Sequence, residues 1–245
     1  MILEKPKILF VHIPRTGGSS IEKFFNFTPK LDHYKKQTQH STLQEYSEHC
    51  DVKKYFKFTV VRNPWDRLLS WYLWSFAEVI YFQYLSENGQ FIGSGASARQ
   101  RAWKNGRSLL NNKKNGFVDQ KFFLKFKTAF SAFVERLEDS GDLTIDKRYD
   151  NLTDISNRLR ARWIMPQLRW LELSGKIFMD YVCKFEKLTP NFKTFLRKNK
   201  IPIGELEKVG KIYNKPAYRK FYNKKNQQII SQVYKEDIKR FKYEF

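Results

Sequence analysis

An apolar run that stops at a proline and passes at once into two glycines and two serines opens this chain. Residues 8–22 read ILFVHIPRTGGSSIE. Ile8, Leu9, Phe10, Val11 and Ile13 have the pattern of a buried strand. Pro14 ends the ladder, and a helix is predicted to begin near Ser19. The junction has a chemistry of its own. First-turn N–H groups lack an intrahelical acceptor, the helix dipole favours an anion, and Gly17 and Gly18 let the backbone come close to a ligand. Thr16, Ser19 and Ser20 add hydroxyl donors, and Arg15 adds a guanidinium that forks onto oxyanions. The nucleotide triphosphatase loop, G-x-x-x-x-G-K-[ST], is not present: its first glycine is missing and the cation precedes the glycines. A tight turn into a helix capped by serine is the alternative this stretch leaves open.

A second stretch, FTVVRNPWDRLLSWY over residues 58–72, repeats the logic. Arg62 sits at a strand end, and Pro64 suits the first position of a helix with Asn63 as its cap. Ser70 lies two turns on, on the face that turns back toward Arg62, with Arg67 three residues earlier. The plainer reading pairs Arg62 with Asp66 on the surface and makes Trp65, Leu68, Leu69 and Trp71 core; for the apolar residues that reading is adopted.

The remaining chain fits one α/β domain over 1–245, with strands at 7–13 and 55–61 in a short, mainly parallel central sheet flanked by helices. A strand or strand pair is expected over 176–185. Helices are expected over 20–27, 65–85, 119–137, after Pro166, over 189–198 with Thr189 as cap, and over 226–241. Ser41 or Thr42 can cap a short helix with Glu45 closing a capping box. Phe122, Phe123, Phe126, Phe130, Phe133 and Leu137 recur at helical spacing and are assigned to the core. Residues 28–39 and 139–155 read as polar connections. Residues 86–118 read as a long variable surface excursion, with a short helix around 99–110.

The net charge of +21 calls for anionic partners. Cys50 and Cys183 have no metal or redox spacing, and reduced thiols are the expectation, a single bridge between them the alternative. His12, His33, His40 and His49 fall in no ligand spacing, so no metal is expected. No apolar run reaches the roughly 20 residues of a membrane span, and residues 1–7 lack a signal peptide's apolar region, so a cytoplasmic protein is expected.

HIPRTGGSS followed by FTVVRNPWDRLLSWY resembles the sulfotransferases that use 3′-phosphoadenosine-5′-phosphosulfate (PAPS), and within them the carbohydrate branch, chondroitin, heparan 2-O and bacterial members included. IMPQLRWL, YVCKFEKL and the C-terminal YRKFYNKKNQQIISQVYKEDIKRFKYEF carry the similarity further. The resemblance implies a P-loop-kinase-like sulfotransferase fold, PAPS as sulfuryl donor and 3′,5′-ADP (PAP) as product, with no metal. It implies that Arg15, Thr16, Gly17, Gly18, Ser19 and Ser20 grip the 5′-phosphosulfate, while Arg62 and Ser70 grip the 3′-phosphate. It further implies a hydroxyl acceptor, a saccharide, anionic ones included. Many members carry Lys where this chain has Arg15; Arg supplies charge but stays protonated and cannot donate a proton to the leaving group.

The acceptor hydroxyl has to lose a proton, and His and Glu are the candidate bases. HSTLQEY, beginning at His40, resembles the segment carrying the base in heparan-type 2-O-sulfotransferases, so His40 is assigned that role, with Glu22 and Glu45 as fallbacks. His12, on the first strand, is expected to be buried and structural. Two other classes compete. An ATP-dependent kinase is disfavoured by the missing Walker lysine and the lack of an Asp pair for magnesium. A basic nucleic-acid-binding protein fits the charge but no known motif, so no nucleic acid is expected. The basic excess in 98–127 and 208–225 is expected to line the cleft rim and hold an anionic acceptor.

Overall fold

The computed structural model describes residues 1–27, 40–87, 120–138, 162–209 and 216–245, with the backbone alone for 77–87 and 138. Its centre is a four-stranded sheet in the order β1-β2-β3-β6, built from β1 (Ile2–Glu4), β2 (Lys7–Val11), β3 (Phe56–Val61) and β6 (Tyr181–Lys184). β2, β3 and β6 are parallel, with Phe10 opposite Phe58 and Val60 opposite Cys183. The edge strand β1 runs antiparallel to β2 and was not expected from the sequence. A small antiparallel pair, β4 (Glu172–Leu173) with β5 (Lys176–Ile177), stands apart, so the expected strand or pair over 176–185 is two strands in different sheets.

Both faces of the sheet are covered, which is why its strands read as continuous apolar runs. Side chains alternate along a strand. Ile8, Phe10, Phe58 and Val60 therefore meet one cluster with Ile21, Phe192, Phe195 and Leu196, from α1 (Gly18–Phe24) and a helix over Leu188–Lys198. Leu9, Val11 and Val61 meet the other, with Leu68, Leu69, Tyr72, Phe126, Phe130 and Trp170. That second layer holds α2 (Leu43–Ser47), α3 (Pro64–Glu87), α4 (Gln120–Glu138) and α5 (Gln167–Leu171), while the Leu188–Lys198 helix is α6. The layer is closed by α7 (Lys224–Val233) and α8 (Lys235–Phe241). The phenylalanine stripe is core as assigned: Phe122, Phe126 and Phe130 are at most 3% exposed.

Local signals explain several boundaries. Asn63 Oδ1 accepts from the backbone N–H of Trp65 at 3.1 Å, the cap expected ahead of Pro64. Thr42 and Glu45 form the capping box of α2. Other expectations need correction. α6 starts at Leu188 with no side-chain cap, so Thr189 lies inside the first turn and is not the cap. The C-terminal helix is interrupted at Tyr234, whose φ of −108° and ψ of 27° depart from helical values, giving α7 and α8; its phenol donates to Ile164 O at 2.5 Å. Cys50 and Cys183 are both free thiols. Among the described residues, no helix is long and apolar enough to cross a membrane. The expected polar connections at 28–39 and 139–155, the short helix at 99–110, His33, and most of the excursion over 86–118 lie outside the described residues. So do residues 98–119 and 210–215 of the two basic segments assigned to the rim.

Candidate active site

β2 and β3 are neighbours in register, with Val11 opposite Thr59, so the loops after them leave the sheet side by side at its carboxyl edge. Open α/β sheets bind ligands at such an edge. Arg15 stands at φ 66° and Gly17 at φ 88°, and this left-handed pair turns the chain from Pro14 into α1. Gly17 is needed twice over: the left-handed φ strains any other residue, and a Cβ there would come within 3.0 Å of the Phe185 ring. Gly17 is the N-cap of α1 and no side chain caps the helix, so serine is not the cap. With seven residues, α1 contributes little macrodipole. The groups this edge offers to an anion are local N–H groups and the guanidiniums of Arg15 and Arg62.

The hydroxyls assigned to this loop have separate duties. Thr16 is fully buried and its Oγ1 donates to Ile13 O at 2.8 Å, pinning the turn. Ser20 Oγ accepts from the Val209 N–H at 3.1 Å and ties the 201–209 segment to α1. Ser19 is exposed.

The two arginines converge. Arg62 Nη1 donates to the carbonyl of Arg15 at 2.9 Å. Its Nε and Nη2 fork onto Asp66 Oδ2 at 2.9 and 2.7 Å, and its guanidinium lies 4.1 Å over the Phe185 ring. The Arg62–Asp66 pair considered from the sequence therefore exists, but it is buried within the site and is not a surface pair: Arg62 is 8% exposed. Ser70 turns back as expected, yet its partner is Arg15, whose Nε and Nη2 donate to Ser70 Oγ at 3.3 and 3.2 Å. Arg62 reaches Asp66 one turn into α3, which leaves Ser70, one turn further, to Arg15. Arg67 is not a ligand group at all. It is buried and donates to the carbonyls of Trp163, Ile164 and Met165, anchoring the entry to α5, and burial lowers its pKa.

Residues that the sequence reading passed over hold this arrangement. Gln167, fully buried, accepts from Arg62 N–H at 2.8 Å and donates to Arg62 O at 2.9 Å, as a neighbouring strand would. Asp237 in α8 in turn accepts from the backbone of Gln167 and Leu168 at 2.7 and 2.9 Å and caps α5, and burial raises its carboxyl. Glu186 accepts from Asn63 N–H at 2.6 Å. Phe185, Glu186 and Gln167 all lie in segments that carried the resemblance, YVCKFEKL and IMPQLRWL, which was their available signal.

His40 stands beside the first loop. Its Nδ1 is 3.0 Å from the His12 carbonyl, an acceptor only, so Nδ1 carries the proton and Nε2 keeps its lone pair. Burial first, then the neighbouring His12, pulls its pKa down to about 3, so the ring is neutral near pH 7. Its ring meets Trp163 at 4.9 Å; Trp163 packs on Trp74 at 4.8 Å, and Arg15 lies 5.9 Å over Trp74. Two half-buried tryptophans thus run between Arg15 and His40. The fallback bases are engaged elsewhere. Burial alone would raise Glu45, but Arg162 and Thr42 outweigh it and hold its carboxyl low. Glu22 is buried against His12 at 2.9 Å.

The arrangement is a glycine-containing loop with two arginines joined through the Arg15 carbonyl, a carboxylate paired to Arg62, and a neutral imidazole nearby. It favours a ligand with several negative charges presented to a group that must lose a proton. The family model described as "Sulfotransferase family" matches residues 1–244. No match is found among curated proteins or among solved structures.

Proposed function

The chain belongs to the sulfotransferase family, an enzyme family of sulfuryl transfer, and from that premise we propose that its donor is PAPS, its acceptor a saccharide hydroxyl, and His40 its base. The observation that carries this reading is the convergence of Arg15, Arg62 and Ser70 on one edge of the sheet, joined by Arg62 Nη1 to Arg15 O and by Arg15 to Ser70. The residues fit a polyanionic nucleotide: the loop runs straight into the first-turn N–H groups of α1, and Arg15 and Arg62 are joined through the Arg15 carbonyl, with Asp66 paired to Arg62.

The donor, when bound, supplies an activated sulfuryl group with a phosphate leaving group. Arg15 and the loop N–H groups hold its phosphosulfate, and Arg62 with Ser70 holds the 3′-phosphate. The acceptor oxygen forms a bond to sulfur as the bridging S–O bond breaks, and the electron pair leaves with the phosphate. As in phosphoryl transfer, the protein mainly aligns the two oxygens and stabilises spreading charge. His40 Nε2 takes the acceptor proton. Arg15 gives charge and no proton, so the phosphate leaves as an anion held by the arginine. The Trp74–Trp163 platform supports a saccharide acceptor, because a pyranose lays its C–H face on such a surface.

One comparison of ligands separates this reading from its rivals. Thermal stabilisation is expected from 3′,5′-ADP without metal and not from Mg-ATP or oligonucleotides. Stabilisation by Mg-ATP alone would point to a kinase, and by oligonucleotides alone to a nucleic-acid-binding protein.

A further inference from the structure

His12 and Glu22 form a buried pair that no step above uses. His12 follows β2, and both residues are 3% exposed. Polar groups taken so far from water are costly unless bonded, and here His12 Nδ1 lies 2.9 Å from Glu22 Oε1. The ring stacks on Phe10 at 5.6 Å. Its Cδ2 and Nε2 occupy the space where a side chain on residue 18 would begin, 2.1 and 2.3 Å from a Cβ placed on Gly18. The same residue's carbonyl meets His40 Nδ1 at 3.0 Å, and the two imidazoles stand edge to face at 4.4 Å.

We propose that the Glu22–His12 pair is the positioning element of the site. Glu22 fixes the His12 ring, the ring sets the Gly18 backbone of the anion loop, and His12 as a whole seats His40. One residue thereby fixes the spacing between the loop that holds the donor and the group that takes the proton. His12 is a positioning residue and touches no reacting atom. The proposal rests on the sulfotransferase reading of the loop and of His40.

Exchange of volume between positions 12 and 18 tests it. In Gly18→Ala the methyl and the ring cannot share their space, the ring is held by Glu22, and the loop has to move. Affinity for 3′,5′-ADP should fall about tenfold or more. In the double variant His12→Ala/Gly18→Ala the methyl enters the space the ring has left, and affinity should recover by about tenfold over Gly18→Ala alone. A second readout needs no nucleotide. Nitrogen-15 NMR of the imidazoles should show His40 with its proton on Nδ1 in the wild type and in Glu22→Gln, which keeps an acceptor for His12. His12→Ala and Glu22→Ala keep the carbonyl but remove or loosen the ring that meets His40 edge to face, so the His40 ring should turn off that carbonyl and the spectrum should move to a mixture of tautomers. A double variant that binds no better than Gly18→Ala overturns the proposal, and so does a His40 tautomer unchanged in both alanine variants. A wild type that binds no 3′,5′-ADP overturns the donor assignment instead, and the tautomer comparison then decides the positioning role by itself. Should His12→Ala fail to fold, Glu22→Ala against Glu22→Gln gives the same decision.

Discussion

Replacing His40 with alanine is expected to lower kcat by about 10²–10⁴-fold, the range for removal of a general base. The affinity for 3′,5′-ADP should stay within about twofold of wild type, because His40 is assigned to the acceptor's proton and not to the donor's phosphates. The basis is the tautomer: the His12 carbonyl takes the Nδ1 proton and leaves Nε2 as the basic atom. The pH dependence follows from the direction of the shift. Burial, with His12 next in size, lowers the ring from the ordinary 6.5 to about 3, so it is unprotonated throughout pH 5–8. The kcat/KM profile should accordingly show no acidic limb in that range. An anion bound beside the ring raises its proton affinity in the complex, since nearby negative charge favours the imidazolium. Stability carries the matching signature. The unfolded chain takes up a proton near pH 6.5 and the folded ring does not until about pH 3, so this group destabilises the fold as pH drops through that window. His40→Ala should lessen the loss. A kcat within a few-fold of wild type would remove His40 from the mechanism, whereas an acidic limb near 6.5 that is lost in His40→Ala would keep His40 as the base and contradict the lowered pKa.

Arg15→Ala is expected to cost about 10²–10³-fold in kcat, the scale for removing one preorganised stabiliser of developing charge. Arg15 bonds to Ser70 and lies 5.9 Å over the Trp74 ring, and it is assigned the charge that holds a leaving phosphate receiving no proton. Arg15→Lys separates charge from geometry. Lysine keeps the cation, so kcat should remain within about tenfold of wild type, while the fork to Ser70 is lost. Equal kcat in Arg15→Ala and wild type would contradict the assignment.

The parts legible in the sequence were those set by local rules. The apolar runs at Ile8–Val11 and Phe58–Val61, the capping by Asn63 and the phenylalanine stripe of α4 all depend on neighbours within a turn or a strand. β1 was not legible, because a three-residue edge strand has too few residues to show a period. The break at Tyr234 was not legible either. Its pattern continues smoothly from α7 into α8, and the residue at the break is bonded to Ile164, 70 residues away.

The site divides the same way. Arg15, Arg62 and Ser70 could be placed near one another from strand–loop–helix logic, but their pairing could not. Asp66 captures Arg62 at i+4, and that decides that Ser70 bonds to Arg15. Gln167 acts on Arg62 over a separation of 105 residues, and Asp237 acts on Gln167 over 70, a coupling that exists only after the C-terminal helices close over α5. His12 was read as structural and is buried as expected. What the sequence could not show is that its ring takes the place of a side chain on Gly18.

The account turns on nucleotide recognition at the joined edge of β2 and β3, and calorimetric titration of 3′,5′-ADP and 5′-AMP tests it most directly. Without metal, the wild type should bind 3′,5′-ADP more tightly than 5′-AMP, since only the former offers a 3′-phosphate to Arg62. A charged hydrogen bond contributes roughly 1.5–3 kcal/mol, so Arg62→Ala should weaken 3′,5′-ADP about ten- to a hundredfold and leave 5′-AMP nearly unchanged. An equal loss for both nucleotides, or a wild type indifferent to the 3′-phosphate, would contradict it.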